Sequence, residues 1–136
     1  MKTYTYIILF IIFAISCKTT LNVLQIDKDF NPRTENIVGH KITGHQINGN
    51  ELKIYIEYSG KCKNHEFELK SNGMYLKSNP PKLPLYLTHV YKAKQCDDLV
   101  KDSLLFDVSS AKYNKNKPGE TIITISGYIT PIKYSY

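Results

Sequence analysis

From Ile37 onward, apolar and polar positions alternate along the chain with a period of two. Leu52, Ile54, Ile56 and Tyr58 alternate with Glu51, Lys53, Tyr55 and Glu57, the pattern of a strand with one buried face. Upstream, Val38, His40, Ile42 and Gly44 alternate with Gly39, Lys41, Thr43 and His45. Asn48-Gly49-Asn50 separates the two runs and predicts a hairpin with a three-residue loop. That register sets Ile42 opposite Ile56 and His40 opposite Tyr58.

Further strands are predicted over residues 65–69, 74–77, 83–89, 104–108, 121–125 and 132–134. Ser71-Asn72-Gly73 and Asn116-Lys117-Pro118-Gly119 punctuate them as turns. Asn79-Pro80-Pro81 excludes a central strand, and Pro84 predicts that the start of its strand lies at an edge. No stretch carries helical periodicity beyond one possible turn at Asp97–Val100. Seven or eight short strands with turns between them predict an all-β fold, an antiparallel sandwich of immunoglobulin-like or Greek-key type. At 136 residues the chain has room for a single domain. The expected division is a signal peptide at 1–16, a lipidated Cys with a tether at 17–36, and the sandwich at 37–136.

The signal peptide is read from Lys2, the apolar run Tyr6–Ile15, the small residue Ser16 and then Cys17. The run is too short to span a bilayer as a helix. Ala14-Ile15-Ser16-Cys17 resembles the lipobox of bacterial lipoproteins, in which the Cys sulfur accepts a diacylglycerol and becomes the new N-terminus. Lipidation at Cys17 implies a cell-envelope protein held to the membrane by its acyl chains. Lys18 follows in place of the aspartate that retains some lipoproteins at the inner membrane, which favours the outer membrane, periplasmic or surface face.

Charge changes this picture little. The net charge is +6, but the excess is lysine scattered in ones and twos, with Arg33 the lone arginine. Bidentate recognition of phosphates and bases favours arginine, so the reading is a solvated basic surface with no nucleic-acid partner.

Cys62 and Cys96 remain once Cys17 is acylated. An even pair in an exported chain reads most simply as one disulfide. The alternative adds His65 and His89: Cys62-x-x-His65 and His89-x6-Cys96 supply four potential metal ligands. Antiparallel pairing of 65–69 with 85–89 sets His65 opposite His89, Phe67 opposite Leu87 and Leu69 opposite Leu85. Against a shared site, Cys62 and His65 point to opposite faces of a regular strand, and an oxidising compartment removes thiolates. The expectation is a disulfide, no cofactor, and histidines hydrogen-bonded near the rim. The acids Asp97, Asp98, Asp102 and Asp107 do not have calcium-loop spacing. Neither a nucleophile elbow nor a phosphate loop nor a zinc-protease motif occurs, so no catalytic residue is assigned.

Lys61-Cys62-Lys63-Asn64-His65-Glu66-Phe67-Glu68-Leu69, Leu85-Tyr86-Leu87-Thr88-His89, Cys96 and Leu104-Leu105-Phe106-Asp107-Val108-Ser109 together resemble a group of small, uncharacterised bacterial lipoproteins. The resemblance covers about fifty residues, with Lys61 standing where the pattern has Gly. It implies an exported β protein in which the Cys pair and the His pair occur as one local cluster, and it carries no activity.

The expected function is a non-catalytic binding or structural module meeting a protein or glycan partner. The alternatives are a metal-binding lipoprotein using the Cys/His cluster, and an inhibitor or immunity-type protein inserting the loop 70–82 into its partner.

Overall fold

The computed structural model describes residues 21–35, 39–60, 65–91 and 98–136. The strands are β1 (Asn22–Val23), β2 (Gln25–Ile26), β3 (His40–Asn48), β4 (Glu51–Ser59), β5 (His65–Ser71), β6 (Lys82–Tyr91), β7 (Leu99–Asp107), β8 (Glu120–Ile125) and β9 (Ile132–Ser135). A single 3-10 turn spans Ser109–Ala111. Two mixed sheets face each other, one in the order β1-β7-β4-β3 and the other β2-β5-β6-β8-β9.

The period-two pattern sets the inward faces. Leu52, Ile54 and Ile56 of β4 and Phe106 of β7 are buried from one sheet. Leu69 of β5, Leu83, Leu85 and Leu87 of β6, Ile123 of β8 and Tyr134 of β9 are buried from the other. Each such side chain removed from water contributes on the order of 1.5–3 kcal/mol. Tyr134 also donates its hydroxyl to Asn50 Oδ1 at 2.7 Å, tying β9 to the turn between β3 and β4 in the opposite sheet.

The expected antiparallel sandwich is corrected to a mixed one, because three pairings are parallel: β1 with β7, β2 with β5 and β6 with β8. The physical reason is the path of the chain. After β6 it crosses to the other sheet to make β7 before returning as β8, so β8 arrives running the same way as β6. Residues 22–26, expected as tether, are one extended stretch split between both sheets. Leu24, between the two short strands, is buried in the core, and Phe30 packs on Tyr86 at 5.4 Å.

The hairpin β3–β4 keeps Ile42 opposite Ile56 and His40 opposite Tyr58. Its loop differs from expectation. Asn48 pairs with Glu51, leaving two loop residues, and a bulge between Ile42 and Gly44 absorbs the extra position. The segment 74–77 forms no strand; Leu76 makes one isolated bridge to Lys82. Strand β7 starts at Leu99, so the possible turn at Asp97–Val100 gives way to ladder pairing at its last two residues. Among the described residues no helix is long and apolar enough to cross a membrane.

Candidate functional site

The strand pairings bring a layer of aromatic and imidazole rings to one end of the sandwich. His40 on β3 and Tyr58 on β4 are directly opposed in one sheet. In the other, β5 and β6 pair antiparallel with Phe67 opposite His89 and His65 opposite Tyr91. The expected register, His65 facing His89, is therefore corrected by two residues. Slipping by two preserves which face each side chain takes. The observed register also keeps Pro84, which lacks an N–H, out of the β5 ladder. That ladder ends at Lys70–Tyr86, and Pro84 pairs only with Thr124 of β8 while its carbonyl accepts the Ser71 hydroxyl at 2.8 Å.

His65 and His89 still meet, now as diagonal neighbours on one face. His65 Nδ1 and His89 Nε2 are 2.7 Å apart, a hydrogen bond in which one ring N–H donates to a bare nitrogen of the other ring. Phe67 stacks on His89 with centroids 4.4 Å apart and planes 13° from parallel. Tyr58 lies 4.7 Å from the His65 ring and 5.7 Å from the His89 ring. His40 completes the layer from the opposite sheet, edge-on to Phe67 at 5.7 Å and to His89 at 6.2 Å. Gly39, at φ +91°, brings its backbone so close that a Cβ there would stand 3.4 Å from His89 Nδ1.

The electrostatics follow from this burial. His89 is 3% exposed, and its imidazole is pushed down to about 4 by burial first, then by the neighbouring His65 and His40. Burial also lowers His40, and its Nδ1 finds no hydrogen-bond partner among the described residues. The Tyr58 hydroxyl is raised by burial and by Asp102. At neutral pH the His89 imidazole is uncharged.

Two nitrogens on one tetrahedral zinc with bonds of about 2.0–2.1 Å stand roughly 3.3 Å apart. The 2.7 Å contact is a proton-sized gap, and metal uptake requires the rings to part by about 0.6 Å. Among the described residues no group of three or more His, Cys, Asp or Glu is disposed to hold an ion. Cys17, Cys62 and Cys96 lie outside the described residues, so of the alternative ligand set only His65 and His89 are placed, and they are placed together. Sequence reasoning left His40 and Tyr58 out of this cluster. The available signal was their opposition across the hairpin, on the same face as Ile42 and Ile56.

A second feature lies at the opposite end of β5. The segment 72–81 leaves the sheet and is pinned by its own hydrogen bonds: Gly73 N–H to Ser71 Oγ at 3.1 Å, Met74 N–H to Asn72 Oδ1 at 3.1 Å, Leu76 N–H to Lys82 O at 2.8 Å and Ser78 Oγ–H to Pro80 O at 2.7 Å. Gly73, at φ +73°, passes so close to β2 that a Cβ would sit 2.9 Å from Ile26 Cγ2. The loop holds Met74 67% and Leu76 54% exposed, and Tyr113 is 62% exposed beside it. Tyr75 and Tyr113 meet edge to face at 5.0 Å and help line a cavity of about 320 Å³ with Lys77, Ser78, Asn79 and Pro81.

No family model matches the chain, and no curated protein matches it in sequence. Among solved structures, a chain from Parabacteroides distasonis ATCC 8503 described as a "Putative TOXIN related protein" is similar, with a TM-score of 0.54 and 18% identity. The likeness covers 85% of this chain and 61% of that one, so this chain spans about three-fifths of the other's length. At that identity the likeness shows a shared fold.

Proposed function

We propose that the chain is an exported, lipid-anchored β-sandwich of the cell envelope, acting as a non-catalytic module that binds a protein partner. The observation that carries this reading is the 72–81 loop: Met74 and Leu76 are held in solvent by a segment fixed through hydrogen bonds, with the exposed Tyr113 beside them. Apolar side chains presented on an ordered loop lose little entropy on binding. The toxin-related description of the structural neighbour sits with a narrower form of the same reading, an inhibitor or immunity-type protein.

The lipobox-like Ala14-Ile15-Ser16-Cys17 supports the anchor at the outer membrane. Leu24 is already in the core, and seven residues from Cys17 reach at most about 25 Å, so the sandwich is kept close to the bilayer. The strand path, in which β5–β6 folds onto the second sheet and β7 returns beside β4, supports a Greek-key description.

The flanks of Cys62 and Cys96 support their pairing. The β4–β7 ladder sets Ser59 opposite Leu99, and Gly60 N–H donates to Asp98 O at 2.7 Å. Cys62 follows Gly60 and Cys96 precedes Asp98 by two residues each in the sequence, so the segments that carry them leave from hydrogen-bonded neighbours.

A photo-crosslinking residue at position 74 tests the role of the loop in cells. A discrete adduct, absent from a control position at Lys133 and lost when Leu76→Ser and Tyr113→Ser are added, is expected; equal labelling at both positions refutes the proposal.

The placement of His65 and His89 side by side on one inward face supports the metal-binding alternative, in which the rings part from their 2.7 Å contact to admit the ion. It predicts free thiols at Cys62 and Cys96 and one zinc per chain, lost in His89→Asn. Non-reducing intact mass separates the two readings directly.

A further inference from the structure

Strand β7 has β4 on one side and β1 on the other. β1 covers only Phe106 and Asp107, so Leu99–Leu105 have no strand on that side among the described residues. Hydrogen bonds fix which groups face outward. Leu24 N–H donates to Asp107 O at 2.9 Å on the β1 side. N–H and C=O groups of alternate residues share a side, so those of Leu99, Lys101, Ser103 and Leu105 face the open edge. The Gly60–Asp98 and Val108–Asn50 bonds independently assign the even-numbered neighbours to the β4 side. Ser103 N–H is covered by the carboxylate of the adjacent Asp102 at 2.7 Å, a side chain standing in where a strand would donate a carbonyl.

Beside this edge a cavity of about 400 Å³ opens between the sheets, with Asn22, Val23, Phe67, Asp102, Leu104 and Phe106 in its walls. Asp102 pairs with the buried Ile56 and so lies on the inward row of β7, yet it is exposed. Val23, 59% exposed, lies in its wall. Glu68, also in the wall, is ion-paired with Lys70 at 2.9 Å.

We propose that the open edge of β7 is a strand-addition site for an extended segment of a partner protein. That segment carries a basic side chain over Asp102, flanked by apolar side chains that enter the cavity against Leu104 and Phe67. Continuity with β1 supports it, since the chain's own strand already fills the last two rungs of this edge. The exposed Asp102 carboxylate on this inward row favours a basic partner. A second copy of this chain is disfavoured as occupant, because self-pairing centred on Asp102 sets two carboxylates opposite each other, and an inward charge is a device that guards edges. In this mode main-chain hydrogen bonds supply affinity and the alternating pockets supply specificity. The surface is separate from the 72–81 loop and stands if the loop reading fails.

The test uses the full chain in detergent micelles, with the peptide acetyl-Thr-Val-Thr-Lys-Thr-Val-Thr-amide, whose Lys and Val side chains share one face, followed by residue-resolved amide exchange. Protection of at least about tenfold at Leu99, Lys101, Ser103 and Leu105, with β3's outer edge unchanged, is expected. N-methylation of alternate peptide residues should remove it, and Asp102→Asn should weaken binding. Ser103→Pro should block it, at a position where an outward N–H makes proline tolerable. Equal binding of the N-methylated peptide, protection elsewhere or no binding overturns the proposal. Concentration-dependent protection of the same amides without peptide overturns it in favour of a second copy.

Discussion

Acidification should loosen the ring layer, and the structure sets the size of the effect. His89 titrates near 4 in the folded chain and near 6.5 when unfolded. The unfolded state therefore binds the proton first. Stability from the neutral imidazole is complete above pH 6.5 and is lost as pH falls toward 4. Between pH 7.5 and pH 5.0 the two values give a loss of about 2 kcal/mol, a large part of a domain stability of roughly 5–15 kcal/mol. His40, lowered by the same burial, acts in the same direction. Urea unfolding at the two pH values, on the wild type and on His89→Gln, isolates the contribution because carboxylate titration is common to both. The wild type should lose about 2 kcal/mol more than the variant over this interval. Equal losses in the two proteins would refute the reasoning.

Three further outcomes are expected. Tyr134→Phe removes the hydroxyl bonded to Asn50 between the two sheets and should cost about 1–2 kcal/mol in the same unfolding assay; no change would mean that this bond contributes nothing net. Gly73→Ala must place a Cβ 2.9 Å from Ile26 at positive φ, and should cost at least about 1–2 kcal/mol while raising exchange in the 72–81 segment. Reduction of a Cys62–Cys96 disulfide opens a loop of about 35 residues and should lower stability by about 4 kcal/mol in the chain-entropy account; Ellman titration of the unreduced, denatured protein finding both thiols free would dispose of it.

The hairpin β3–β4 was legible because Leu52, Ile54 and Ile56 alternate without interruption and Asn48-Gly49-Asn50 marks the turn. Its bulge was not, since one inserted residue leaves the pattern on either side intact. The β5–β6 pairing was legible in its faces but not in its register, because a two-residue slip keeps every apolar side chain inward. Parallel β6–β8 pairing depends on where β7 crosses between, which no local pattern encodes. β1 and β2 are two residues each, too short for a period to show. At the ring layer, His65 and His89 share a parity that sequence reveals. His40 joins them only because one sheet packs on the other, and that is a property of the assembled sandwich.

The split of the N-terminal stretch between β1 and β2 also has a mechanical meaning. Under the proposed membrane anchor, tension would enter the domain at Leu21 and run along two short strands, each lying parallel to its partner. Load is therefore shared between the two sheets from the first contact, and it acts along the ladders, shearing their hydrogen bonds together instead of peeling them one by one. Leu24 is the pin through which both shear planes pass. Under rising force this clasp yields before the long β4–β7 ladder is stressed. Its release would strip β1 from Phe106 and Asp107, lengthening the uncovered edge of β7.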